Sequence, residues 1–440
     1  MSLMISPSTA YNLNDDQKKA GDGFFEFLFS DAKEFIISGP AGVGKTYLMN
    51  YIIDNTMPRY FEMCKLMGVK PEYTEVVMTA TTNKAADVLS KAVNRPTQTA
   101  CSFFNVVVRD DFTTGISSLK RTNKWKVHQK MIIFVDEASM VDTAQWQMFH
   151  EATLDCKLVY VGDKYQLPPV QEDLSPIYKH SAPIVELLTP VRNAGQPALM
   201  AVCQQLRETV ATGIFKPIRP VPGVIDHMTG PQMQAEVDRL FKQQTHEARI
   251  LAFTNKRVIE YNDHIRAMRH LPVTFTKGEL LVNNSPLHCK NSMLAAEMEV
   301  EVLRNHGSSQ VVVDQKHDVY LDVDVIDLMD SLGVVYNNVP FPTNRTHFEG
   351  LLKYYGQTKN FERKYFLKNN FADLRPRDAS TVHKSQGSTY ETVFVDIGNI
   401  STCNIPSLVA RMLYVAFSRA RTRVILFGDL AGKYGGLDLS

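Results

Sequence analysis

A glycine-rich octapeptide, Gly39-Pro40-Ala41-Gly42-Val43-Gly44-Lys45-Thr46, is the segment whose residue types and spacing most clearly predict chemistry. It matches the phosphate-binding pattern G-x-x-x-x-G-K-[ST], follows the apolar residues 35–37 and precedes a helix-like segment at 47–53. Glycines let the backbone N–H groups point at phosphate oxygens, beside the positive end of the new helix. Lys45 is expected to reach the β- and γ-phosphates, and the Thr46 hydroxyl to ligate Mg²⁺. The octapeptide therefore predicts binding of ATP or GTP.

Two apolar runs further along the chain end in polar residues suited to nucleotide hydrolysis. Asp136 and Glu137 follow residues 131–135; the first acid would hold Mg²⁺ and the second would polarise the attacking water. Gln166 follows residues 158–161, where its amide could hydrogen-bond the γ-phosphate or a water beside it. Taken alone, either pattern also fits a polar turn at the end of a strand. Together with the octapeptide, they favour an enzyme over a nucleotide-binding protein.

Composition limits the class of protein. The chain has 440 residues, of which 44% are apolar and 22% charged, so it is too long for one core. Its net charge of +1 predicts no bulk affinity for nucleic acid, and any such site must be a local basic groove. Six scattered cysteines without metal-ligand spacing are typical of reduced thiols. With no signal-like start and no membrane-spanning run, we expect a soluble intracellular protein without membrane contact.

Short apolar strand candidates alternate with helical stretches in two zones, a pattern that predicts two α/β cores with buried parallel sheets. Two stretches interrupt this alternation. The first favours a small hairpin. The second has short strand-like pieces at 280–283, 300–304, 311–314 and 319–323, which favour a small β-barrel followed by a helix-rich excursion. The predicted parts are a first core (1–94 and 131–186), a first insertion (95–130), a second core (187–276 and 377–440) and a second insertion (277–376).

The order of the motifs resembles that of superfamily 1 helicases of the 1B group, the RecD-like and phage Dda-like enzymes. The similar segments span nearly the whole chain and follow the family's order: 13–17 (glutamine motif), 39–46 (I), 79–86 (Ia), 136–137 (II), 162–166 (III), 188–192 (IV), 380–387 (V) and 413–420 (VI). The resemblance implies an α/β fold of two RecA-like P-loop NTPase cores with two inserted subdomains. These are a small hairpin-bearing 1B and an SH3-like β-barrel 2B. It also implies ATP and Mg²⁺ as cofactors.

The resemblance further assigns roles that spacing alone does not. It implies that Gln17 contacts adenine, that Gln166 senses the γ-phosphate, and that Arg192 and Arg419 stabilise the charge that develops during phosphoryl transfer. Both arginines are far in sequence from the octapeptide, in the second zone. We therefore predict that they reach the phosphate only when a cleft between the cores closes. The chain departs from the family pattern at Cys101, where a histidine is usual, and in the tighter spacing of motif IV.

Motifs Ia, Ib and V of this family contact the backbone of a single strand. The corresponding small or polar residues here are Thr82, Asn83, Lys84, Thr99, Ser102, Thr381 and His383. Threonine and asparagine are also common helix caps and turn residues, so each assignment has a structural alternative. Phe112, beside the predicted hairpin turn, is the candidate wedge that stacks on the last base pair, or else it packs under its own hairpin.

These expectations combine into an ATP-dependent DNA helicase that moves 5′ to 3′ on single-stranded DNA and unwinds duplexes in replication or recombination. Two other functions stay open: a strand-stimulated translocase that displaces bound proteins without unwinding, and a nucleotide-dependent DNA clamp or loader. Expected partners are single-stranded DNA, single-strand/double-strand junctions and a single-strand-binding protein. We expect a monomer in the cytoplasm, that of the host cell if the protein is phage-encoded.

Overall fold

The computed structural model describes residues 11–114, 116–170, 172–191, 196–289 and 292–439. Its first core contains a six-stranded parallel sheet. The strands in spatial order are Ile184–Glu186, Glu34–Ser38, Lys157–Gly162, Met131–Asp136, Glu75–Ala80 and Gln98–Thr99. The helices of this core are Asp15–Leu28, Lys45–Tyr51, Met57–Leu66, Asn83–Val93, Ala100–Phe103 and Thr143–Glu151. The central strands are buried along almost their whole length, as the apolar runs predict.

The second core contains a five-stranded parallel sheet. Its strands in spatial order are Ile225–Met228, Ala420–Phe427, Tyr390–Asp396, Ala248–Ala252 and Ala379–Thr381. Its helices are Pro197–Thr212, Gly230–Phe241, Asn255–Met268, Ile397–Ile400 and Pro406–Ser418. The last helix is deeply buried in this core, because its residues 412–417 are all within the apolar interior. The two parallel sheets confirm the predicted α/β class with two cores.

The segment that connects the two cores is still bound to the first core beyond residue 187, where the sequence predicts the second core to begin. The Leu187 N–H donates to the Ser38 carbonyl at 2.8 Å, and the Leu187 side chain is buried in the first apolar core. The Val191 N–H donates to the Gly42 carbonyl at 2.8 Å. The predicted boundary at residue 187 therefore falls inside a segment that lies on the first core.

The first insertion is an antiparallel hairpin of strands Val106–Asp110 and Ser117–Arg121. A short strand, His128–Gln129, then pairs in parallel with Thr153–Leu154. The side chains of the hairpin strands are largely exposed, so the hairpin projects from the first core rather than contributing to its interior.

The second insertion is built on a five-stranded antiparallel sheet. Its strands in spatial order are Val335–Pro342, Val319–Asp330, Glu299–Asp314, Leu280–Asn283 and Leu374–Pro376, with a separate pair Leu287–Cys289 and Ser292–Leu294. Helices Arg345–Gln357 and Phe361–Asn370 pack on the far half of the two longest strands. The SH3-like barrel stays a prediction, since among the described strands the two outer ones of this sheet do not pair with each other.

Two features distinguish this sheet from the predicted run of short strands. The pieces predicted at 300–304 and 311–314 belong to one strand of 16 residues, Glu299–Asp314. Its pairing with Val319–Asp330 shifts register at three places, and such bulges bend and twist a long ribbon.

In the described parts of the chain, no helix has the length and apolar character needed to cross a membrane.

Candidate nucleotide site and strand groove

The glycine-rich loop connects strand Glu34–Ser38 to helix Lys45–Tyr51 at the carboxyl edge of the first sheet. Gly44 has a φ of 81°, in the left-handed region, and a Cβ there would lie 2.5 Å from Nε2 of Gln17. Only glycine meets both conditions without strain. The loop thus brings its backbone close to the start of the helix, where N–H groups can face an anion.

The side-chain amide of Gln17 is hydrogen-bonded to this loop. Its Nε2 donates to the Val43 carbonyl at 3.1 Å, and its Oε1 accepts from the Asn14 N–H at 3.2 Å in a capping box of helix Asp15–Leu28. The side chain is only 2% exposed. Gln17 therefore ties the loop to the first helix, and its contact with adenine stays a prediction.

One cleft between the two cores brings together most of the predicted hydrolytic residues. Those on its walls are Lys45, Thr46, Asp136, Glu137, Gln166 and Arg419. The Lys45 ammonium donates to the Gly39 carbonyl at 2.7 Å and the Pro40 carbonyl at 2.9 Å, so it lies across the loop at the edge of the cleft. Arg192 lies outside the described residues.

The acid pair lies where strand Met131–Asp136 ends. Glu137 has a φ of 52°, a left-handed conformation that costs a non-glycine residue about 1 kcal/mol or more. Burial, followed by the neighbouring Glu137 carboxylate, raises the pKa of Asp136 to about 7. Burial disfavours the ionised form of the Asp136 carboxylate, and a cation bound beside it would offset that cost. With the Thr46 hydroxyl it forms a set of hard oxygen donors that fits Mg²⁺.

The second core holds the segment that carries Gln166. The Tyr414 hydroxyl donates to Oδ2 of Asp163 at 2.5 Å, and both side chains are buried. Nη1 of Arg411 donates to the carbonyl oxygens of Lys164 at 2.9 Å and Gln166 at 2.5 Å. The predicted phosphate sensor is therefore attached to helix Pro406–Ser418, the helix that ends next to Arg419.

A fourth hydrogen bond reaches the same segment from motif V. Nε2 of Gln386 donates to the Leu167 carbonyl at 3.3 Å. Sequence reasoning assigned no role to Arg411 or Tyr414. Their spacing could have indicated a shared role, because residues three apart lie on one face of a helix, and this helix also carries motif VI.

Arg419 is 3% exposed, and its guanidinium is bound by its own core. Nε donates to the Val415 carbonyl at 3.2 Å, Nη1 to the Ser388 carbonyl at 3.2 Å and Nη2 to the Ser418 hydroxyl at 2.9 Å. The arginine lines the cleft from the side opposite the glycine-rich loop. Its place on the opposite core suits a group that approaches the phosphate when the cores close.

Two of the predicted strand residues serve as helix caps. The Thr82 hydroxyl accepts the Ala85 N–H at 3.1 Å at the start of helix Asn83–Val93. The Thr99 hydroxyl accepts the Ser102 N–H at 3.1 Å in the same way. A capping hydroxyl still has its own proton to donate, so capping and phosphate binding are compatible.

A second, polar cleft lies where both cores and the second insertion meet; we call it the strand groove. Of the predicted strand residues, Lys84 and Thr381 line it. Thr381 is 8% exposed at the end of strand Ala379–Thr381, and burial lowers the pKa of nearby His383, which favours a neutral imidazole. Sequence reasoning missed other polar residues of the groove: Asn255, Asn284, Glu297, Arg375 and Lys384.

Arg375 is oriented by a bidentate pair. Its Nε and Nη2 donate to the two carboxylate oxygens of Asp373 at 3.1 and 3.0 Å, and its Nη1 donates to Oδ1 of Asn255 at 3.2 Å. These contacts fix the orientation of a planar cation at the wall of the groove, with its Nε and Nη2 edge occupied by Asp373.

The tip of the hairpin touches the second insertion. The Phe112 ring is 55% exposed, and it meets the Tyr365 ring edge to face at a centroid distance of 5.2 Å. Nearby, the Lys368 ammonium pairs with Asp110 at 3.1 Å. Phe112 therefore packs against helix Phe361–Asn370 and not under its own hairpin.

Comparison with known proteins shows two helicase-type domains and a helicase relative. The sequence matches the family model of an AAA domain over residues 12–216 and that of a UvrD-like helicase C-terminal domain over residues 378–427. The ATP-dependent DNA helicase Dda of Enterobacteria phage T4 is 22% identical over 476 positions, covering 93% of this chain and 98% of that protein. These matches confirm the predicted resemblance to superfamily 1B helicases.

The fold agrees with that of a solved helicase structure. The Pif1 helicase from Bacteroides, in complex with ADP-AlF3 and single-stranded DNA, superimposes with a TM-score of 0.54. The two sequences are 14% identical, and the match covers 98% of this chain and 95% of the other. The match confirms the predicted pair of RecA-like cores.

Proposed function

We propose that the protein is an ATP-dependent DNA helicase that moves 5′ to 3′ along a single strand and separates duplexes at junctions. The observation that carries the proposal is the shared cleft, in which the phosphate-binding loop and the acid pair of the first core face Arg419 of the second. Hydrolysis at such a cleft couples each turnover to a change in the separation of the cores. The name of the phage T4 relative supports the same activity.

Each residue of the cleft has a distinct part in hydrolysis. The loop N–H groups and Lys45 bind the phosphates, and Thr46 and Asp136 would hold Mg²⁺, which supplies neutralisation of phosphate charge. Glu137 accepts the proton of the attacking water. Arg419 approaches the γ-phosphoryl group as the cores close, and an arginine in this role contributes about 10³–10⁵ in rate. Both cores belong to a single chain, which favours action as a monomer.

The single strand is proposed to lie in the strand groove. There the predicted contacts of the first core, such as Lys84, and of the second core, such as Thr381, lie on either side of one cleft. Changes in the separation of the cores would then move one set of contacts along the strand relative to the other. Because the net charge of the chain is only +1, binding depends on this local set of cations.

The hairpin supplies the proposed wedge. The exposed half of the Phe112 ring can stack on the last base pair, while Tyr365 and Lys368 brace the hairpin from the second insertion. A braced hairpin resists the force of an advancing duplex better than an isolated one, since a lone two-stranded hairpin is marginally stable.

Two assays test the proposal. Phosphate release from ATP in the presence of Mg²⁺ is measured with and without oligothymidylate, for the wild type and Lys45→Ala. We expect the strand to stimulate the wild type, and the variant to lose hydrolysis while it still binds the strand.

Duplexes with a 5′ or a 3′ tail then test unwinding and direction. Opening of the 5′-tailed duplex alone supports the proposal. Strand-stimulated hydrolysis with neither duplex opened indicates a translocase that displaces proteins, and absence of hydrolysis indicates a clamp or loader. Either of these outcomes overturns the helicase assignment.

A further inference from the structure

One carboxylate of the second insertion contacts cations of both cores. Glu299, at the start of strand Glu299–Asp314, lies 3.3 Å from Nζ of Lys84 and 3.1 Å from Nη2 of Arg249. Its other oxygen lies 2.8 Å from Nε of Arg377. Lys84 belongs to the first core, and Arg249 lies on a strand of the second core sheet. Glu299 therefore joins three parts of the molecule directly behind Lys84 and Arg249, two residues that line the strand groove.

A second carboxylate repeats the arrangement two residues earlier. Oε1 of Glu297 lies 3.2 Å from Nζ of Lys384, which belongs to motif V of the second core. Glu297 itself has a φ of 64° and closes a turn in which its N–H donates to the Asn283 carbonyl at 2.8 Å. The second insertion thus places one carboxylate against a groove lysine of each core.

The cations around these carboxylates differ in access. The side chains of Arg249 and Arg377 are 3% and 7% exposed, so their pairs with Glu299 belong to the interior. The side chains of Lys84 and Lys384 are 23% and 29% exposed, and both line the groove. Arg249 also lines the groove, but its guanidinium is almost fully buried against Glu299, whereas the two lysines are the more accessible cations for an anion that enters.

Glu299 is ionised under working conditions. Burial opposes its charge, but Lys84, Arg249 and Arg377 outweigh burial and lower its pKa to about 2. A lysine that already contacts a carboxylate at hydrogen-bond distance has given up much of its attraction for a further anion. Binding of phosphate at that lysine must therefore replace the carboxylate.

We propose that Glu297 and Glu299 occupy the positions of strand phosphates, and that an incoming single strand displaces them from Lys384 and Lys84. This inference rests on the proposed function, since it concerns how the same groove selects its ligand. A polynucleotide can replace both carboxylates at once, because its phosphates are linked and reach both cores. A small anion replaces one at most, so the two carboxylates make the groove selective for a continuous strand.

The test is the salt dependence of strand binding in Glu297→Gln and Glu299→Gln. Affinity for a fluorescent oligothymidylate is measured by anisotropy at several salt concentrations, with Glu208→Gln as the control. Glu208 pairs at 3.6 Å with Lys216 on an exposed surface of the second core, so the control makes the same charge change away from the groove.

Each groove variant frees one lysine. We expect a gain in affinity of about threefold to fivefold at moderate salt, because an accessible ion pair no longer opposes binding. The slope of log affinity against log salt should become steeper by about 0.7, since one more phosphate counterion is released. The gain of Glu299→Gln should vanish in a Lys84→Gln background, and the control should change neither quantity.

The outcomes separate this inference from the function on which it rests. If the wild type binds the oligonucleotide and both variants, folded by thermal melting, bind it no more tightly and with an unchanged slope, the inference is wrong. If Glu299→Gln loses stability because Arg249 and Arg377 lose their ion pairs with Glu299, Glu297→Gln decides the question alone, since in the described part of the chain its carboxylate pairs with Lys384 and with no buried arginine. Failure of the wild type itself to bind would instead overturn the proposed function.

Discussion

Replacing Tyr414 by phenylalanine should slow hydrolysis without weakening ATP binding. The Tyr414 hydroxyl bridges the cores through its bond to Asp163, three residues before Gln166. Burial, together with the Asp163 charge, raises the pKa of Tyr414 well above its ordinary value, so the hydroxyl keeps its proton and remains a donor. The variant removes the donor and leaves a buried carboxylate with one partner fewer.

The size of the effect follows from this geometry. Asp163 is 0% exposed and Tyr414 is 1% exposed, so water does not replace the lost bond. A hydrogen bond to a buried charged group contributes about 1.5–3 kcal/mol. If the bond stabilises the hydrolytic position of the Gln166 segment by about 2 kcal/mol, its loss lowers the population of molecules in that position about 30-fold. We therefore expect kcat to fall about tenfold to 30-fold. The KM for ATP should change little, because the glycine-rich loop is untouched.

The assay is steady-state phosphate release at saturating oligothymidylate, with a matched control in the same apolar core. Tyr434 is also 1% exposed, and its hydroxyl donates to the Cys403 carbonyl at 2.6 Å, away from the Gln166 segment. Tyr434→Phe thus removes a buried, hydrogen-bonded hydroxyl without touching the bridge between the cores. Equal losses of kcat in both variants, or full turnover by Tyr414→Phe, would refute the reasoning.

Two further predictions concern the wedge and acid stability. Phe112→Ala should lose duplex unwinding but keep strand-stimulated phosphate release. The control Phe29→Ala, which changes an exposed ring on the first core, should keep both activities. Parallel loss of both activities in Phe112→Ala would contradict the role of Phe112 as a wedge. Hydrogen bonding to Arg239 outweighs burial, and with Arg423 it lowers the pKa of Glu236 to about 2. Its contribution, roughly 1–2 kcal/mol after solvent screening, is therefore present above the unfolded pKa and lost as pH falls from about 4.5 through 2. Urea unfolding of Glu236→Gln should show this loss already at pH 7 and a flatter acid limb, and an unchanged limb would count against it.

Much of the nucleotide site could be predicted because its signals are local. A glycine-rich loop between an apolar run and a helix has one physical interpretation, and the structure has that loop between Glu34–Ser38 and Lys45–Tyr51. The acid pair after an apolar run was equally readable, since strands of a parallel sheet place their carboxyl ends at one edge. The hairpin was recognisable from a polar turn between two short runs.

Other features had no local signal. Two predicted pieces form the single strand Glu299–Asp314 because this whole segment pairs with Val319–Asp330. The register shifts in that pairing depend on the partner strand and not only on the residues of Glu299–Asp314. The attachment of Leu187 to the first core depends on a backbone hydrogen bond to Ser38, which lies 149 positions earlier in the chain. Periodicity reports whether an element has a buried face, but it does not say which element covers that face.

The amino-acid sequence by itself indicated the chemistry of the cleft, because the loop and the acid pair are each specified by residue type and short-range spacing, while the role of Arg419 came from the order of the motifs. Only the tertiary structure decided how these groups are connected. The Tyr414–Asp163 and Lys84–Glu299 contacts join residues 251 and 215 positions apart. Such pairs depend on how two cores and an insertion pack against one another. That packing is set by the sum of many weak contacts, and no single stretch of sequence carries it.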